Sequence, residues 1–122
     1  MIEEIEVELN GDELYVLKHA LAMCGCQGAD PYLLNRFFTN DLAIQKAKKL
    51  YGKSHTGITS LDKADIEILL ISVTEALKEN AGVFNNSEVQ LDSKRLRKRL
   101  ISLRGLGGAI KAKDPEQEDT DA

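Results

Sequence analysis

The sequence predicts a mainly α fold, a compact bundle of about five helices, and three observations carry that expectation. Apolar residues recur at spacings of three and four through most of the chain. Capping residues stand before these runs, and glycines or polar connectors follow them. Strand-like alternation is confined to residues 5–9 and 88–91, so the β content expected is a small two-stranded element joining the N-terminal strand to residues 88–91. With 122 residues, 43% of them hydrophobic, the chain suits one domain that buries roughly two-thirds of its unfolded surface. That domain is assigned to residues 1–108, with a flexible acidic tail over 109–122. Three Tyr, three Phe and no Trp leave the core to aliphatic side chains.

The elements follow in order. Ile5, Val7 and Leu9 alternate with Glu4, Glu6 and Glu8, a strand with one wet face, and Asn10-Gly11 turns the chain. Asp12 is placed to cap the first helix, whose stripe is Leu14, Leu17, Leu21 and Cys24, with Gly25 as its stop. Asp30-Pro31 starts a second helix: a capping acid, then proline where no amide is needed. Thr39-Asn40-Asp41 would be a costly run inside a helix, so a bend is expected there, with a third helix from Leu42 to Tyr51. Thr59 or Ser60 is expected to cap a fourth helix over residues 61–79. Ile66, Leu69, Leu70, Val73 and Leu77 form one face of it, while Leu61, Ala64, Ile68 and Ile71 lie nearly opposite. A helix apolar on two sides is either central in its fold or shared with a partner. Asp92 or Ser93 caps a last helix ending at Arg104, with Leu96, Leu100 and Leu103 as a narrow stripe among bases.

Charge is segregated along the chain. Glu3, Glu4, Glu6, Glu8, Asp12 and Glu13 make the first thirteen residues acidic, with no base among them. Residues 94–113 carry Lys94, Arg95, Arg97, Lys98, Arg99, Arg104, Lys111 and Lys113 and no acid. Asp114, Glu116, Glu118, Asp119 and Asp121 then make the last stretch acidic again. The net charge of −4 therefore conceals a basic surface suited to a polyanion, an acidic protein or the chain's own acidic segments.

Chemical motifs are few. Gly52-Lys53-Ser54 matches the end of a phosphate-binding P-loop, but Ala47 stands where its first glycine belongs and a helix precedes it. The ordinary reading is a helix-ending loop. His19, Cys24, Cys26 and His55 are zinc-ligand types at poor spacings, with Cys24 on an apolar stripe, so no metal or cofactor is expected. Cys24 is expected to be buried and Cys26 accessible, both as reduced thiols. Ser54-His55 is the one adjacent nucleophile–base pair, and neighbours in a loop rarely point at each other. The acidic start lacks the basic and then apolar run of a secretory signal, and no stretch is apolar enough to span a membrane. A cytoplasmic protein is expected.

These features point away from catalysis and toward a protein–protein interaction module: an adaptor, inhibitor or assembly factor. A small acidic chain without catalytic motifs also suits an accessory protein of a mobile element. The residues expected to meet a partner fall in two groups. Leu61, Ala64, Ile68 and Ile71 form the second face of the fourth helix, where self-association to a homodimer is expected. Arg95, Arg97, Lys98, Arg99, Ile101 and Arg104 form the outward side of the basic helix. The alternative is a nucleic-acid-binding regulator using the basic helix, residues 93–104. The bases would supply salt-dependent affinity, although no aromatic interleaves them to stack on single strands.

Overall fold

Each of the first four helices begins where a short polar side chain closes the open amides of its first turn. A computed structural model of the chain describes residues 4–28 and 30–108. The first helix, α1 (Gly11–Met23), is capped by Asn10, two residues earlier than Asp12. Asn10 Oδ1 accepts from the Glu13 amide at 2.8 Å, and Glu13 Oε1 accepts from the Asn10 amide at 2.9 Å. This reciprocal pair makes Asn10 the better cap, because it satisfies two amides at once. The second helix, α2 (Pro31–Phe37), starts at Asp30 as expected. The bend at Thr39-Asn40-Asp41 is present, and Asn40 caps α3 (Asp41–Lys53) through the Ala43 amide at 2.8 Å. Asp62 caps α4 (Lys63–Glu79) in a second reciprocal pair with Asp65. The caps expected at Thr59 or Ser60 are displaced because residue 60 is already committed to a strand. One 3-10 turn (Gly82–Asn85) then leads to α5 (Ser87–Gly108).

The small sheet exists, but with a different partner. Strand β1 (Glu4–Glu6) pairs antiparallel with β2 (Ser60–Asp62), setting Ile5 opposite Leu61. Residues 88–91 are the first turn of α5 instead. Asn86 Oδ1 accepts from the amides of Glu88 at 2.8 Å and Val89 at 3.1 Å, which starts a helix there. Val89 thereby joins Ser93, Leu96, Leu100 and Leu103 on one stripe, and four alternating residues cannot tell that pattern from a strand. Ser93 is not a cap; it is fully buried, its hydroxyl donating to the Val89 carbonyl at 2.6 Å. The last helix also runs past Gly105, its expected stop, to Gly108.

Helix α4 is the centre of the fold, packed against α1, α3 and α5. Its Ile66, Leu69 and Val73 close with Leu17 and Leu21 of α1, Leu96 and Leu100 of α5, and Phe84 of the 3-10 turn, all fully buried. Contacts of Arg97 with Thr74 and of Arg104 with Glu67 show that α5 runs antiparallel to α4. Cys24 and Cys26 are both buried and unpaired, so Cys26 is not the accessible thiol its place beyond the helix suggests. The Cys26 amide bonds back to the Leu21 carbonyl at 3.1 Å, folding the connector inward. Gly25 permits that fold: its φ is +102°, and a Cβ there would meet the Leu33 Cβ at 2.8 Å. Among the described residues no helix is long and apolar enough to cross a membrane. The tail assigned to residues 109–122 lies outside the described residues.

Candidate functional site

Two surfaces that flank α4 carry residues expected to meet a partner. The first is a groove of about 320 Å³ between α4 and the α2–α3 corner. Ala64, Glu67, Ile68 and Ile71 line its α4 wall, and Phe37, Leu42, Ala43 and Lys46 face them. Leu42 is 65% exposed and Ile71 38%, the most open large apolar side chains among the described residues here. Ile68 is buried and forms the floor.

Of the four residues expected on this face, the structure brings three together. Ala64, Ile68 and Ile71 line the groove, while Leu61 lies in β2, fully buried in the core. Leu61 precedes the helix, so its helical angle has no meaning. The opposite wall was not foreseen. Leu42 stands off the Ala43, Ala47 and Leu50 stripe of α3, and an exposed leucine off a stripe was the available signal.

One end of the groove is set electrostatically. Lys46 reaches from α3 to the N-terminus of α4, its Nζ 2.8 Å from Asp62 Oδ2 and 3.3 Å from Asp65 Oδ1. The hydrogen bond to Asp62 raises the Lys46 amine above its ordinary 10.5, against burial and with help from Asp65. Burial alone would push the Asp62 carboxyl up. The Lys46 hydrogen bond and the Asp65 amide outweigh it and hold the carboxyl below its ordinary 3.8. This cluster joins α3 to the start of α4 and pairs the cation at that end of the groove.

The second surface lies where α5 crosses the C-terminal half of α4. Lys94, Arg95, Arg97 and Lys98 surround a depression of about 680 Å³ whose apolar contacts are Leu77 and Leu91. Leu91 is 48% exposed. The basic residues of α5 divide into two kinds. Arg99 turns inward, with Nη1 at 2.8 Å from Glu13 and Nη2 donating to the Glu8 carbonyl at 3.0 Å. Arg97 donates to Thr74 at 3.0 Å, and Arg104 lies 3.6 Å from Glu67. Ile101 is half-buried and packs against the core. Arg95 is exposed, its nearest carboxylate, Asp92, being 4.0 Å away. The outward cationic surface is therefore Lys94, Arg95 and Lys98, narrower than the sequence suggests.

The remaining motif residues are placed as follows. Gly52 and Lys53 complete α3 and Ser54 is its C-cap, its hydroxyl donating to the Tyr51 carbonyl at 2.6 Å. His55 lies edge-on to Tyr51 with Nδ1 at 2.9 Å from the same carbonyl. Both Ser54 and His55 thus close a helix end. Among the described residues, no three His, Cys, Asp or Glu side chains converge as metal ligands would. Burial pushes the Cys24 thiol up to about 11 and the Cys26 thiol to about 12, far from thiolate at neutral pH. No known protein family, curated protein or solved structure matches this chain.

Proposed function

We propose that this chain is a non-catalytic, cytoplasmic helical module that acts by binding another protein, as an adaptor, inhibitor or assembly factor. The observation that carries the reading is the groove between α3 and α4, where Leu42 and Ile71 hold aliphatic side chains in water above an apolar floor. Its shape and chemistry suit an amphipathic helix presenting aliphatic side chains. Self-association belongs to the same reading: two copies would meet through Ala64, Ile71 and Leu42.

The test uses the intact protein as bait in an extract of the source cell, with Leu42→Glu and Ile71→Glu as parallel baits. A partner held by the native chain and lost by both variants, at unchanged melting temperature, supports the reading. Light scattering on the same three proteins shows whether the partner is a second copy. The alternative, a nucleic-acid-binding regulator, is favoured by Lys94, Arg95 and Lys98 standing exposed together on α5. Duplex binding at physiological salt that is lost with those three residues, and indifferent to Leu42→Glu, would move the function there.

A further inference from the structure

The basic depression on α5 is independent of the α3–α4 groove, and its chemistry specifies a different occupant. Lys94, Arg95, Arg97 and Lys98 edge it, and among the described residues neither Lys94 nor Lys98 has a carboxylate within 4.0 Å. We propose that this depression is occupied by the chain's own acidic segment, residues 114–121.

Three arguments select that occupant. The first is charge: Asp114, Glu116, Glu118, Asp119 and Asp121 meet four bases, while two of the N-terminal acids are already engaged elsewhere. Glu13 is bound to Arg99, and Glu4 accepts from Ser60 in the sheet. The second is reach. Lys98 lies about 15 Å back from Gly108 along α5, at 1.5 Å per helical residue. Residues 109–113 span at most about 17 Å when extended, so Asp114 attains the level of Lys98 and the acids after it attain Arg95 and Lys94. The third is tethering. A short link holds the segment near its site at an effective concentration of about millimolar, so a contact too weak to form between separate molecules forms within one.

The fit is incomplete, and that defines how it behaves. Residues 114–121 contain no Leu, Ile, Val or Met, so Leu77 and Leu91 gain little from them. The contact is electrostatic, weakened by salt, and displaced by any acidic ligand that also covers those leucines. The segment thus acts as a resident competitor for the basic surface.

The experiment uses the full chain and a full-length variant with the five acids of 114–121 changed to Asn or Gln. Zero-length carbodiimide cross-linking at low salt, followed by peptide mapping, should join Lys94 or Lys98 to acids of 114–121 within the monomer, and half-molar salt should abolish it. Backbone amide shifts between native and neutralised chains should concentrate at residues 91–98. The neutralised chain should bind a short DNA duplex, used as a polyanion probe, about tenfold more tightly at low salt. Cross-links only between molecules, cross-links to the N-terminal acids, or unchanged shifts at 91–98 would each overturn the proposal. None of these readouts involves Leu42 or Ile71, so a failure here leaves the reading of the other groove standing.

Discussion

Arg99 and Glu13, 86 positions apart, meet with Arg99 Nη1 at 2.8 Å from both carboxylate oxygens of Glu13. The same Glu13 carboxylate closes the N-terminus of α1 through the Asn10 amide. One side chain thus caps the first helix and ties it to the last, while Arg99 Nη2 also holds the Glu8 carbonyl of the strand segment. Arg99 belongs to the scaffold, although Lys98 beside it in sequence faces water.

That arrangement predicts a contrast within one helix. Arg99→Ala should cost about 1–2 kcal/mol in urea denaturation, because it leaves Glu13 without its charge partner. Lys98→Ala, one position away and exposed, should stay within about 0.5 kcal/mol. A double-mutant cycle of Arg99→Ala with Glu13→Gln should return a coupling of about 1 kcal/mol. The coupling is kept modest by the 39% exposure of the Arg99 side chain. Equal effects at positions 98 and 99 would refute the assignment.

A second prediction concerns acid. The Asp62 carboxyl is held below its ordinary 3.8 in the folded chain, so its ionised form favours folding. That stabilisation is complete above the unfolded pKa and is lost as pH falls below about 3.8 through the lower folded value. The raised Lys46 amine acts in the opposite direction: its stabilisation is present below 10.5 and lost as pH rises above it. Melting temperatures of native and Asp62→Asn protein should therefore converge at low pH. A gap that stays constant from pH 7 to pH 2 would contradict the assignment.

The thiols make a third. Burial raises Cys24 to about 11 and Cys26 to about 12, and both side chains are closed off from solvent. A thiol-reactive disulfide reagent at pH 8 should modify neither in the native state within minutes, and both at once in urea. Rapid native reaction of Cys26 would show that the inward fold after Gly25 is wrong.

The fourth separates floor from wall in the α3–α4 groove. Ile68 is 4% exposed and Ile71 38%, three positions apart on the same helix face. Ile68→Glu buries a charge without a partner and should cost more than about 3 kcal/mol or prevent folding. Ile71→Glu should stay within about 1 kcal/mol and still leave the groove unable to seat an aliphatic partner. Denaturation curves for the two variants decide it.

Much of the architecture was legible because its causes are local. Asp30-Pro31 and Asn40 start α2 and α3 where their short polar side chains predict, since a cap is a contact within three residues. The two-sided apolar pattern of α4 left open a central helix or one shared with a partner, and α4 packs at the centre against α1, α3 and α5. The misreadings also have local causes. Residues 88–91 alternate like a strand and yet also begin the Val89, Ser93, Leu96 stripe, and four residues satisfy both periods. Ser93 resembles a cap because its type favours caps, whereas its hydroxyl is satisfied by a carbonyl one turn back.

The candidate surfaces were legible only in part. By itself the sequence determined the helix set, the segregated charge and the apolar second face of α4, because composition and periodicity are properties of neighbours along the chain. The tertiary structure alone decided that β1 pairs with residues 60–62, and that Leu61 is core while Ile71 is surface. It also decided that Arg99 turns inward to Glu13 while Lys94, Arg95 and Lys98 turn out. These are contacts between residues far apart in sequence, and a helical period gives the angle of a side chain without saying what stands opposite it. Whether a base is a strut or a free charge depends on whether the chain, on folding, brings an acid within reach.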